Sequence, residues 1–237
     1  MTWVRPVVIL DLDDTLIDHT GATSDCWRAI CDERAPLLGL GPDGGQLHAA
    51  VMEIRTWFWS DLERNRIGRA NPVDASRQIV TLAFERLGVG SPEQAEAMAV
   101  AYQERRRDLV SIFPETVEVV EALRARGHQL AMITNGATAT QREKIERFDL
   151  ARHFEYLLVE GEFGIGKPDA RVYQHVLGVL GIQPDAAVMI GDDLERDVAG
   201  PQRLGIMGVW IDRAGAGVPA GRPIQPDRII SSLRELL

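Results

Sequence analysis

The stretch VVILDLDDTL, residues 7–16, changes character halfway along. Val7–Leu10 is a continuous apolar run without alternation, the pattern of a strand buried on both faces of a parallel sheet. Acids follow at once, with Asp11 and Asp13 two positions apart. In open α/β sheets the functional crevice lies outside the carboxyl ends of the strands. An Asp-x-Asp placed there reads either as the edge of a site or as an ordinary polar turn, and the rest of the chain must decide.

Four similar apolar runs come much later: QLAMIT (Gln129–Thr134), YLLVE (156–160), AVMIG (Ala187–Gly191) and IMGVWI (206–211). Helical patterns separate them: PETVEVVEALRARG, TATQREKIERFDL, DARVYQHVLGVLG and LERDVAGPQRLG. Strand and helix alternating in this way predict an α/β fold, a doubly wound, Rossmann-like parallel sheet. Residues 18–110 differ, because they contain no convincing strand. Apolar Leu47, Val51, Ile54, Phe58 and Leu62 make a helical stripe between positions 46 and 65. VDASRQIVTLAFERLG and SPEQAEAMAVAYQERRRDLV predict two further helices, the second opened by Ser91-Pro92. The expected organisation is an α/β core of residues 1–17 and 111–237 with a helical domain, 18–110, inserted after the first strand. AGAGVPAGRP (214–223) reads as a flexible connection before a last short element.

Composition sets bounds on function. A formal charge of −9 over 237 residues argues against general electrostatic binding of nucleic acid, although a local site can invert that sign. No apolar stretch approaches the roughly 20 residues of a membrane span, and the N-terminus lacks a signal-peptide pattern. Cys26 and Cys31 alone make neither a disulfide framework nor a zinc site, so a reduced, cytoplasmic chain is expected.

The other strand ends bear on the Asp-x-Asp. Thr134 and Asn135 close QLAMI with TNG, Asp192 and Asp193 follow AVMIG in GDDLERD, and Lys167 lies beyond YLLVE. Alone, TNG reads as a turn and Asp192-Asp193 as a helix cap. The topology gathers them at one end of the sheet. Several close carboxylates require a countercharge, and a hard divalent cation such as Mg²⁺, with oxygen ligands, supplies it. A lysine and a small hydroxyl beside it suit phosphoryl oxygens. One competing pattern lies in VEGEFGIGKPD (159–169), where Gly161, Gly166 and Lys167 match most of a P-loop. Pro168, however, occupies the place of the Ser or Thr whose hydroxyl would meet the metal.

DLDDTL, TNG, GKP and GDDLERD, in this order, resemble the four motifs of the haloacid dehalogenase-like (HAD) hydrolases, and the helical insertion resembles that family's cap placed after the first motif. The resemblance implies that Asp11 is the nucleophile that becomes an aspartyl-phosphate and that Asp13 is the general acid and base. Thr15 helps to fix the loop. Thr134 and the backbone N–H of Asn135 bind phosphoryl oxygens, and Lys167 neutralises them together with the nucleophile. Mg²⁺ is held by the Asp11 carboxylate, the Asp13 backbone carbonyl and Asp192, with Asp193 or Asp197 assisting. The opening DLDDTLIDHTGA is most similar to the phosphatase branch acting on sugar phosphates or nucleotides, including N-acylneuraminate phosphatase-like members.

Asp13 also separates chemistries. Chloride leaves unprotonated, whereas an alkoxide needs an acid, so this residue favours hydrolysis of a small phosphorylated metabolite over dehalogenation. Phosphomutases keep the same pair and remain open. Phosphonate hydrolysis is disfavoured because residues 18–110 contain no lysine. A P-loop nucleotide-binding protein and a non-catalytic domain phosphorylated on aspartate are the rivals outside the family. In the helical segment, Phe58, Trp27, Cys26 and Cys31 read as packing. Trp57, Trp59, Arg66 and Arg69 are substrate-contact candidates, and His19 and Arg105 to Arg107 read as structural or solvated. Oligomeric state is not legible.

Overall fold

The computed structural model describes residues 3–21, 23–219, 221 and 223–237, with the Leu62 side chain also left outside the description. Strand β1 (Val7–Leu10) is buried along its whole length, as its unbroken apolar run requires. It is flanked on both sides by parallel strands in a six-stranded sheet of order β5-β4-β1-β6-β7-β8. The others are β4 (Gln129–Thr134), β5 (Tyr156–Val159), β6 (Ala187–Gly191), β7 (Met207–Ile211) and β8 (Arg228–Ile230). Leu10 pairs with Met132 on one side and Ile190 on the other, so β1, β4 and β6 end nearly level. Between them lies the point where the strand order reverses, the place for a site in such a sheet. Val7 and Ile9 face one layer of the core, where Ala131, Ile133, Val172 and Val176 meet. Val8 and Leu10 point the other way by the period-two alternation of a strand and are equally buried.

The chain divides into two compact units, Met1–Asp18 with Ser111–Leu237, and His19–Val110. In the first, short antiparallel strands β2 (Ile17–Asp18) and β3 (Ser111–Ile112) mark where the chain leaves and returns. Helices α6 (Thr116–Ala125), α7 (Thr138–Arg147), α8 (Glu160–Phe163) and α9 (Ala170–Leu180) follow. After β6 comes a π-helical turn, Leu194–Ala199.

The second unit is helical among its described residues: α1 (Thr23–Arg34), α2 (Gly45–Ser60), α3 (Leu62–Ala70), α4 (Pro72–Leu87) and α5 (Pro92–Leu109). Its core gathers Trp27, Leu47, Val51, Phe58 and Phe84, and Trp27 stacks on Tyr102 with ring centroids 4.0 Å apart. Cys26 and Cys31 are buried free thiols. Trp59 packs against this core, edge-on to Phe58, whereas Trp57 is exposed beneath the Arg64 guanidinium.

Local details depart from the sequence reading. The helical stripe of 46–65 is broken at Asp61, whose backbone is extended and whose carboxylate accepts from Arg64 N at 2.9 Å, so it starts a new helix. Glu160 opens α8 instead of ending β5. The predicted last element is a sixth strand followed by a 3₁₀ turn, Leu233–Leu236. Ala220 and Arg222, in the segment read as a flexible connection, lie outside the described residues, as do Met1, Thr2 and Ala22. Among the described residues no helix is long and apolar enough to cross a membrane.

Candidate active site

Asp11 leaves β1 with its N–H donated to the Ile190 carbonyl of β6 (3.0 Å), a last ladder bond that sets where its side chain emerges. Its carboxylate meets the Lys167 ammonium at 2.7 Å, and the same ammonium reaches Asp197 at 2.6 Å. All three side chains are buried, at 10%, 2% and 1% exposure. Burial pushes the Asp11 carboxyl up to about 7, against the opposing attraction of Lys167, with Asp197 and Asp13 adding repulsion. For Lys167 burial works against the charge, but Asp11 and Asp197 outweigh it and hold the ammonium above the ordinary lysine value.

Lys167 is delivered by a backbone clamp. The Asn135 side chain accepts from Lys167 N and donates to Lys167 O, both at 2.8 Å. That clamp needs a bare backbone beside it. A Cβ on Gly166 would lie 2.5 Å from the Glu160 carboxylate and 2.8 Å from Asn135 Oδ1. The glycine that imitates a P-loop therefore serves a close approach to the TNG turn. Pro168 precedes the N-cap of α9, which is Asp169, accepting from Arg171 N at 3.0 Å, and so stands outside the helix.

Past β6, GDDLERD divides its acids among different tasks. Asp193 Oδ1 accepts from Glu195 N and Arg196 N, both at 2.9 Å, and caps the π-helical turn. Asp197 spends one oxygen on Lys167 and the other on Asp193 N (3.0 Å). Asp192 is accessible, and its carboxyl lies with those of Asp11 and Asp197 within 4.8 Å of one another. Desolvation, then the charges of Asp11, Asp197, Asp14 and Asp193, push the Asp192 carboxyl well up. Gly191 makes this packing possible, since a Cβ there would sit 2.2 Å from Asp197 Oδ2.

Asp13 is held by a second group of residues that the motifs do not contain. Lys144, on α7, meets its two carboxylate oxygens at 2.8 and 2.9 Å. Gln141, one turn earlier, donates to Asp13 Oδ2 (3.1 Å) and to the Thr134 hydroxyl, and accepts from Lys144 at 2.9 Å. Thr134 is buried at the end of β4. The loop after Asp13 is gripped by Arg213, which donates to Thr15 O (2.7 Å) and Asp14 O (3.3 Å) and pairs with Glu115 at 2.8 Å. Thr15 thus holds the loop through its carbonyl, and its buried hydroxyl has no partner among the described residues.

The predicted residues Asp11, Lys167 and Asp192 converge, and Thr134 joins Asp13 through Gln141. Asn135 reaches the site through the backbone of Lys167. Gln141, Lys144 and Arg213 were not read from the sequence. Asp11, Asp13, Asp192 and Asp197 share the ammonium groups of Lys144 and Lys167, an acidic excess that a divalent cation offsets, and the donors are all oxygen, as Mg²⁺ prefers. Asp11 and Asp192 fit such a cation better than Asp197, whose oxygens are both engaged. A P-loop reading fails on this geometry: Lys167 is committed to two carboxylates, and α9 does not begin at it.

A haloacid dehalogenase-like hydrolase family model matches residues 6–205. Phosphoserine phosphatase of Thermus thermophilus is 40% identical over 155 residues, covering 65% of this chain and 60% of that protein, so the chain aligns with about three fifths of that relative's length. Ribulose-1,5-bisphosphate 5-phosphatase of Halopiger xanaduensis is 30% identical over 237 residues, covering 97% of this chain and 96% of the relative. A HAD-hydrolase of Bacillus subtilis, in a crystal structure bound to magnesium, superposes with a TM-score of 0.75 at 19% identity, covering 98% and 96% of the two chains, and shares the fold. An acid pair ending the central strand, a lysine bridging it to the far acids and a family match over most of the length lead to one conclusion: the chain belongs to the haloacid dehalogenase-like hydrolases.

Proposed function

We propose that the protein is a Mg²⁺-dependent phosphatase that hydrolyses a small phosphorylated metabolite through an aspartyl-phosphate on Asp11. One observation carries this reading: Asp11 and Asp13, two residues apart, are held by different cations, Lys167 and Lys144, so each has its own environment and task. The Asp11 carboxylate attacks phosphorus, and the ester P–O bond breaks as Asp13 gives its proton to the leaving oxygen. Asp13 then takes a proton from water, which attacks the same phosphorus. The bond to Asp11 breaks and inorganic phosphate leaves. Thr134 accepts from Gln141, which leaves its O–H proton to be donated, and a phosphoryl oxygen is the acceptor we assign to it. Lys167 opposes the burial that would leave Asp11 protonated, and the N–H it does not give to Asp11 or Asp197 is the one we assign to a phosphoryl oxygen.

The residues that would hold Mg²⁺ are Asp11, Asp192 and the Asp13 carbonyl, and when bound the ion neutralises charge on the transferring group. Asp197 serves by holding Lys167, and Asp193 by shaping the turn beneath Asp192. In this reading His19–Val110 is the family's cap. The presence of Asp13 favours ester hydrolysis over halide displacement. The two phosphatases named above are, by name, enzymes of phosphoserine and of ribulose-1,5-bisphosphate, so phosphate monoesters of small polar alcohols are the substrate class we assign.

The test is a panel of phosphorylated metabolites assayed for inorganic phosphate with Mg²⁺ and with a chelator. Metal-dependent release from at least one monoester is expected. No release across the panel would sink the proposal, and transfer without free phosphate would mark a mutase.

A further inference from the structure

Basic residues are abundant in this chain, 26 in all, but only two are lysines, Lys144 and Lys167. Both are buried, and Lys167 holds Asp11 while Lys144 holds Asp13, two of the aspartates of the first motif. Lys167 belongs to a motif. Lys144 does not, yet it is bound as closely: its ammonium straddles both Asp13 oxygens at 2.8 and 2.9 Å and donates to Gln141 Oε1 at 2.9 Å. That last bond fixes the amide of Gln141, because an ammonium donates only to the oxygen. The NH₂ group must therefore face Asp13 and Thr134, as it does. The compactness of lysine suits this place. A point-like ammonium meets three oxygens in one small volume, where the planar fork of an arginine does not fit the same arrangement.

We infer that Lys144 and Gln141 are positioning residues for the reaction, a two-residue clamp on one face of α7 that aims the Asp13 carboxyl at the leaving oxygen and the Thr134 hydroxyl at the phosphoryl group. These contacts are those of the ionised carboxylate. In the acid step Asp13 carries a proton on the oxygen facing the leaving group. That proton passes to the alkoxide as the ester bond breaks, and the carboxylate left behind accepts both Lys144 bonds and stays in register for the water step. Misplacing such a group by an ångström is costly without any loss of fold.

The inference rests on the phosphatase reading, and the test separates the two. Lys144→Met keeps the length and packing of the side chain and removes the ammonium. We compare kcat/KM, which reports the first irreversible step, for an alkyl phosphate and for 4-nitrophenyl phosphate, whose leaving group needs little protonation. The expected result is a loss on the order of 10²-fold on the alkyl ester and of less than about 10-fold on the aryl ester. In an Asp13→Asn background, Lys144→Met should add almost nothing on the alkyl ester, because residues that act as a unit are not additive. Gln141→Leu should show the same bias toward the alkyl ester on top of a loss shared by both, from Thr134, and gives an independent reading should Lys144→Met fold poorly. Equal losses on the two esters, or full additivity with Asp13→Asn, would overturn the clamp while leaving the phosphatase reading intact. A wild type inert toward both esters and the metabolite panel would instead remove the reading on which the clamp rests.

Discussion

Gly191→Ala tests how tightly the lysine-bridged acids are packed. The new Cβ would stand 2.2 Å from Asp197 Oδ2 and 2.3 Å from its Cγ, where ordinary contact begins at 3.4 Å. The Asp197 carboxylate would have to retreat by about 1 Å, and its side chain is only 1% exposed, so little empty space receives it. A retreat of that size stretches the 2.6 Å bond to Lys167 and the 3.0 Å bond from Asp193 N past hydrogen-bond length. Each such bond to a buried charge contributes about 1.5–3 kcal/mol, and a broken buried pair costs about 3–5 kcal/mol. We therefore expect Gly191→Ala to lose about 3–5 kcal/mol in urea unfolding with chelator present, and at least about 10²-fold in kcat. Gly178→Ala is the control. It lies within α9, and beyond its own helix no atom of the described residues comes within 4 Å of an added Cβ, so it should stabilise by about 0.5–1 kcal/mol. A Gly191→Ala protein within about 1 kcal/mol of wild type and fully active would refute the packing argument.

Other perturbations follow from the same contacts. The folded value of Asp11, about 7, lies above its ordinary 3.8, so the folded state favours the protonated form. The penalty for ionising it is absent below about pH 4, grows as pH rises and is complete above about pH 7. Asp192 and Asp197 are shifted in the same direction. Chelator-treated protein should therefore lose thermal stability across that window, and added Mg²⁺ should raise Tm more near pH 8 than near pH 5; equal shifts at both would contradict the carboxylate crowding. Arg213→Met removes the ion pair to Glu115 and two bonds to the loop after Asp13, and should cost about 1–3 kcal/mol with a fall in kcat, measured by urea unfolding and turnover.

Much of this was legible in the chain for a definite reason. Asp11, Thr134 and Asp192 sit at or just beyond strand ends, and a parallel sheet brings all such ends to one edge, so their convergence follows from topology. Lys167 comes after α8 and is brought to them by the Asn135 clamp. Lys144 and Gln141 lie on a helix. Their meeting with Asp13 depends on the rotation of α7, which hydrophobic periodicity does not set to within a side chain. A signal was nevertheless present, because a chain so rich in arginine retains lysine at only two positions. The roles of Asp193 and Asp197 stayed open for a similar reason, since either could point inward until the π-helical turn assigns one to capping and the other to Lys167. Asp61 departs from the stripe through a competition between local signals: an acid inside an apolar period becomes an N-cap and starts a new helix.

The central claim is that Asp11 carries the phosphoryl group during turnover. Acid quench of the enzyme turning over a phosphate monoester with Mg²⁺, borohydride reduction and peptide mass mapping would read this directly, since reduction of an aspartyl-phosphate leaves homoserine in its place. The account predicts homoserine at position 11, dependent on substrate and absent in Asp11→Asn, which should also be inactive. Undiminished turnover with Asp11 unmodified, or with the phosphoryl group trapped on another residue, would contradict it.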